Sequence, residues 1–210
     1  MTLTHLIRNL SLAVVLAVWG LPAGAQDLQD PAIGEPAPAF SLPGISGETV
    51  SLADLRGKIV VLEWINHGCP FVRKFYSVGK LQEWQQHFAD QGVVWLAVCS
   101  SAPGEQGYYS LADWPAVAER HNMKTSDVLY DPEGVVGRAY GARFTPHFFI
   151  IDAEGTLVYK GGIDDTRSTN SADIDGARNY VVEALNLMLQ GEPVAETVTR
   201  AYGCTVKYAR

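Results

Sequence analysis

The sequence predicts an α/β protein: a mixed central β-sheet flanked by helices, with an N-terminal β-hairpin extension. Three observations predict it. Apolar runs at 58–65 and 93–99 read as strands buried on both faces. Helical patterns alternate with the strands, as in layered α/β architectures. A hairpin over 147–160 and one more helix close the pattern.

Each element follows from local chemistry. Residues 40–42 and 48–52 flank the turn Gly44-Ile45-Ser46-Gly47 and read as a short hairpin. The run 58–65 is the first buried strand. Residues 71–89 place Leu81, Trp84 and Phe88 on one helical face, with a break expected at Gly79. Strand 93–99 follows, then a helix over 111–121 with Pro115 in its first turn. The short strand 127–130 turns through Asp131-Pro132-Glu133-Gly134 into a helix at 135–140. Strands 147–152 and 156–160 pair across Ala153-Glu154-Gly155, and 177–190 is the last helix. Between the hairpin and that helix, 161–165 (Gly-Gly-Ile-Asp-Asp) reads as a turn with solvated acids, and 191–210 is a tail without periodicity that carries Cys204.

The N-terminal 25 residues read as a signal peptide: Arg8 supplies a positive start, 10–21 is the apolar stretch, and Ala23-Gly24-Ala25 is a small-residue cleavage site. The apolar stretch is too short for a membrane span. A periplasmic or secreted protein is therefore expected, cleaved after Ala25, with no membrane attachment afterwards. Residues 26–37 read as a flexible, Pro-containing lead-in, 38–190 as one domain, and 191–210 as the tail. A net charge of −7 argues against nucleic acid as a partner.

The chain has three cysteines, Cys69, Cys99 and Cys204. An odd number leaves at least one outside any internal pair, which favours a thiol that does chemistry. Cys69 is the foremost candidate. It lies in Asn66-His67-Gly68-Cys69-Pro70, between a buried strand and a helix, where backbone N–H groups favour the thiolate. Pro70 fits the first helical turn.

Four features together resemble the thioredoxin fold, and more closely the exported redoxins of the AhpC/TSA and TlpA-like group. They are Cys69-Pro70 at the strand-to-helix turn, Thr145-Pro146 before strand 147–152, Glu63 six residues before Cys69, and Gly203-Cys204-Thr205-Val206-Lys207-Tyr208 at the end. The resemblance spans about 33–208. It implies a cis Pro146 facing Cys69, with the Thr145 backbone exposed to a partner strand. It also implies that Glu63, an acid inside a buried strand, shuttles protons with a raised pKa. Cys204 is then the favoured resolving thiol, carried on a mobile tail, while Cys99 fits a plain apolar strand position.

The chain departs from both familiar patterns. A second loop cysteine would stand at Val72, so a Cys-x-x-Cys dithiol is excluded. The peroxiredoxin Pro-x-x-x-Thr-x-x-Cys has Leu62 and Asn66 at its Pro and Thr positions, leaving Asn66 as a candidate donor to substrate. Arg143 is the favoured cation for stabilising a thiolate, with Arg73 read as a solvated charge.

The resemblance implies a thiol-dependent oxidoreductase without a cofactor. The leading expectation is peroxide reduction: Cys69 becomes a sulfenic acid, a disulfide forms with Cys204, and a periplasmic thiol reductant restores the pair. The alternative is thiol–disulfide exchange with a disulfide substrate. Less favoured are a copper chaperone like the SCO group, using Cys69, His67 and His147, and a binding module without turnover.

Overall fold

The computed structural model of the protein describes residues 27–209. The signal peptide expected over 1–25 lies outside the described residues. Within them, β1 (Ser41–Pro43) and β2 (Thr49–Ser51) form the expected hairpin. A five-stranded sheet follows, built from β3 (Val60–Trp64), β4 (Val94–Cys99), β5 (Asp127–Tyr130), β7 (His147–Ile151) and β8 (Leu157–Gly161). Its order is β5-β4-β3-β7-β8. β3, β4 and β5 run parallel, and β7 and β8 are antiparallel additions. The mixed sheet is the one that the sequence predicts.

Helices α1 (Pro70–Tyr76) and α2 (Lys80–Ala89) are one expected helix divided at Gly79, which has φ +76°. A left-handed residue there ends one helix and starts the next at a new angle. Helix α3 (Trp114–Arg120) has Pro115 in its first turn. Helix α4 (Val135–Tyr140) starts after Asp131, whose carboxylate accepts the Gly137 N–H at 2.9 Å and the Ser100 hydroxyl at 2.6 Å. Helix α5 (Tyr180–Leu189) is capped by the Asn179 side chain, which accepts the Val182 N–H at 2.9 Å.

Alternation along the central strands divides the core. Val61, Phe148 and Ile150 face α1, α2 and α5 together with Cys69. Leu62, Trp64, Phe149 and Ile151 face Tyr140 of α4 on the other side. Both edges of the sheet are covered, which removes the open ladder that would recruit other chains. At the β5 edge, the Ile45 N–H donates to the Val128 carbonyl at 3.1 Å, and Ser46 Oγ donates to Asp127 Oδ2 at 2.6 Å. Gly44 lies so close that an added Cβ would sit 2.2 Å from Asp127.

The β8 edge takes two further segments. The lead-in does not hang free, for Gly34 N–H donates to the Leu157 carbonyl at 2.9 Å and Ala37 N–H to that of Gly155 at 3.0 Å. The tail is equally fixed. Thr199 N–H donates to the Lys160 carbonyl at 3.1 Å, and Lys160 N–H to that of Thr197 at 3.0 Å. Short strands β6 (Phe144–Thr145) and β9 (Cys204–Thr205) then pair antiparallel. Neither lead-in nor tail has a periodic pattern of its own, because each satisfies its backbone on an edge that sequence periodicity does not display.

The turn after β8 also differs from expectation. Asp164 is buried rather than solvated. It pairs with buried Lys74 of α1 at 3.2 Å, and the Tyr202 hydroxyl of the tail donates to its other oxygen. Replacing Tyr202 with Phe removes one hydrogen bond to a buried carboxylate. Urea denaturation is expected to show a loss of about 1–3 kcal/mol, and a change below about 0.5 kcal/mol would mean that the hydroxyl does not hold the tail.

Candidate active site

Cys69 is held by a loop that Asn66 closes on itself. Asn66 Oδ1 accepts the Gly68 N–H at 2.8 Å, and Nδ2 donates to the Gln106 carbonyl at 3.0 Å. Gly107 allows this approach, since a Cβ there would come within 2.4 Å of the Asn66 amide. Cys69 is the N-cap of α1 and is fully buried in the side of the core that contains α1. Its thiol donates to the Thr145 carbonyl at 3.0 Å.

The Thr145–Pro146 peptide bond is cis, as the resemblance implies. The Thr145 backbone is not open to a partner strand as expected: it is buried and pairs antiparallel with Cys204 of the tail, with Thr145 Oγ1 donating to the Cys204 carbonyl at 3.4 Å. The neighbouring Gly203 has φ +140°, and a Cβ on it would lie 2.1 Å from the Thr145 carbonyl oxygen. Only glycine lets the tail come this close. Cys204 and Cys69 therefore flank one residue, and their thiols interact. Burial first, then the Cys69 thiol, pushes Cys204 up to about 12, while Lys207 and Arg73 act in the opposite sense. Both thiols are free.

Glu63 is fully buried among three donors. Trp95 Nε1 donates to Oε2 at 2.8 Å, Gln85 Nε2 to the same oxygen at 3.1 Å, and the Tyr76 hydroxyl to Oε1 at 3.3 Å. Gln85 is itself fixed by accepting the Lys124 N–H at 3.0 Å. Burial raises the carboxyl to about 7, and the three donors only partly offset it.

Other candidates fall elsewhere. The Arg143 side chain is exposed and lines a cavity with His147 and Tyr202 that does not include Cys69, and the cations that act on Cys204 are Lys207 and Arg73. His147 accepts the Arg143 N–H on Nδ1 at 3.3 Å. His67 stacks on His121 with ring centroids 3.7 Å apart, and burial lowers its pKa to about 3. Cys99 donates to the Gly107 carbonyl at 3.5 Å and packs with Trp114 and Val117, and burial raises it to about 11. Sequence reasoning missed Gln85, Trp95 and Tyr76, whose polar ends converge only once α1, α2 and β4 pack over β3.

Fold and thiols define a thioredoxin-fold redoxin that acts as an oxidoreductase through cysteine chemistry. The AhpC/TSA family model matches residues 33–160, and the chain belongs to that family. A thiol:disulfide interchange protein DsbE of Pseudomonas fluorescens is 31% identical over 76% of this chain and 86% of its own. An uncharacterized conserved protein from Geobacillus kaustophilus superposes with a TM-score of 0.76 at 30% identity, covering 90% of this chain and 98% of that one. A hypothetical protein from Sinorhizobium meliloti gives 0.72 at 27%, covering 88% and 98%. The likeness to DsbE favours disulfide exchange, the alternative reading of the sequence, over peroxide reduction.

Two outcomes are expected. Because Glu63 lies at about 7 when folded against an ordinary 4.5, the folded state binds more protons than the unfolded state between these values. Stability therefore falls as pH rises through that window, by about 3 kcal/mol in all. Glu63→Gln should flatten this slope in urea titrations at successive pH values, and an unchanged slope would assign it to another group. Cys99→Ala should cost about 1 kcal/mol and leave redox turnover intact. Lost turnover in a folded variant would place Cys99 in the chemistry.

Proposed function

We propose that this chain is an exported thiol–disulfide exchange protein in which Cys69 is the nucleophile and Cys204 the resolving thiol. The observation that carries the reading is the placement of both thiols at Thr145, one through its carbonyl and the other through its strand partner. Export rests on the sequence pattern of residues 1–25.

The Cys69 thiolate attacks one sulfur of a substrate disulfide. A bond forms between Cys69 and that sulfur, and the other substrate sulfur leaves as a thiolate that takes up a proton. Cys204, once deprotonated, attacks Cys69 Sγ. The Cys69–Cys204 disulfide forms, the mixed disulfide breaks, and the second substrate sulfur leaves reduced. The substrate gains two electrons, and an external thiol reductant returns them to the pair. Thr145 and Pro146, both buried, back the thiol pair, and Asn66 shapes the Cys69 loop. Glu63, poised near neutrality, takes part in moving the proton that Cys204 gives up.

Peroxide reduction would need a free donor beside Cys69. Asn66 instead holds the loop, through Oδ1 and one N–H of Nδ2.

Burial is the larger cause of the raised Cys204 pKa and persists once Cys69 is capped, so the thiolate fraction limits resolution. Cys204→Ser is expected to accumulate a Cys69 mixed disulfide with oxidised glutathione, seen by mass spectrometry, and Cys69→Ser to form none. In the wild type, release of the mixed disulfide should quicken by about tenfold per pH unit around neutrality. Rapid sulfenic acid formation with hydrogen peroxide, and no capture of disulfides, would replace exchange with peroxide reduction.

A further inference from the structure

A cavity of about 400 Å³ opens between β7, β8 and the tail. It is within the size range of small-molecule sites. Arg143, Arg167 and Arg200 line it, together with Lys160, His147 and Phe144. The protein as a whole is acidic, with a net charge of −7. Four cations around one cavity therefore run against the average charge of the surface. Lys160 is partly compensated, for its ammonium meets Asp30 at 2.6 Å and the Pro31 carbonyl at 2.8 Å. The three guanidinium groups make no ion pair among the described residues.

Three different segments present these arginines, and each segment is tied down. The Arg143 backbone is fixed by its N–H to His147 Nδ1 at 3.3 Å and by its carbonyl, which accepts the Val206 N–H at 3.1 Å. Arg167 follows Thr166, whose carbonyl accepts Lys74 Nζ at 3.3 Å. Arg200 follows Thr199, whose hydroxyl lies 2.6 Å from that of Tyr159. His147 adds a neutral donor. Nδ1 is taken by the Arg143 N–H, so the proton is assigned to Nε2. Burial, then the charges of Arg143 and Lys160, lowers its pKa to about 3.

We propose that this cavity binds a small, multiply charged organic anion, whose carboxylate or phosphate oxygens engage Arg143, Arg167 and Arg200 while its body lies against Phe144. Guanidinium groups match both oxyanions, with paired N–H donors at fixed spacing. Neither Cys69 nor Cys204 lines the cavity, and the proposal does not rest on the redox reading.

Isothermal titration calorimetry tests it on the purified protein, with citrate as the carboxylate probe and inorganic pyrophosphate as the phosphate probe at constant ionic strength. One equivalent of at least one probe should bind with a dissociation constant below about 1 mM. The tighter probe identifies the preferred oxyanion. Arg143→Gln and Arg200→Gln, both at exposed side chains, should each weaken binding by about tenfold or more. Arg120→Gln, an equal charge change on α3, should not, and Cys69→Ser should bind as the wild type does. Binding of neither probe, or equal weakening by Arg120→Gln, would overturn the proposal.

Discussion

The buried pair of Lys74 and Asp164 is the constraint on which the rest of the site depends. Lys74 lies on α1, whose N-cap is Cys69, and Asp164 lies in the turn after β8. Tyr202 joins the same carboxylate from the tail, two residues before Cys204. One ionic cluster thus fixes the helix that presents the first thiol and the strap that presents the second. Its net contribution to stability is small, because the Coulomb attraction in the interior is set against the desolvation of two charges. Its geometric effect is larger. A lysine and an aspartate held out of water have few alternative partners, so the elements carrying them have one register.

Thr145 is the second pivot. Its carbonyl accepts the Cys69 thiol while its residue pairs with Cys204 across β6 and β9. A chain with Val72 where a second loop cysteine would stand cannot form a dithiol within the α1 turn. This protein places its second thiol on a separate strand, and Gly203 permits the close approach. The backbone of β6 does the work of juxtaposition that spacing does in a Cys-x-x-Cys loop.

The fold was largely legible in the sequence because its signals are local. Val60 to Trp64 is apolar except for Glu63, Gly79 divides the helix, and Thr145-Pro146 precedes a strand of bulky apolar residues. Glu63 was legible for the opposite reason, as a charge where no charge belongs. Arg143 was less legible, because three residues before Pro146 does not say where its side chain emerges, and it lines a cavity that does not include Cys69. The docked tail was illegible too. Its hydrogen bonds run to Lys160, Arg143 and Ala102, all distant in sequence, and an edge-pairing strand of two residues carries no period. Asp164 looked like a turn residue, since the lysine that buries it lies on another element.

Holding the tail at both ends has a consequence for the chemistry. The strap is pinned at Thr199 to Lys160, at Tyr202 to Asp164, at Val206 to Arg143 and at Tyr208 to the Ala142 carbonyl. These bonds exist in the reduced protein and require no disulfide. In the proposed exchange, Cys204 is thus positioned before Cys69 reacts, and the ordering entropy is met by folding rather than at the moment of attack. The same burial that positions Cys204 raises its pKa, so proximity and nucleophilicity pull against each other. In the proposed exchange, Glu63 offsets part of that opposition, as a buried carboxyl held near neutrality by its surroundings. A freely swinging tail would reverse the balance, with a thiol that ionises readily and finds its target seldom.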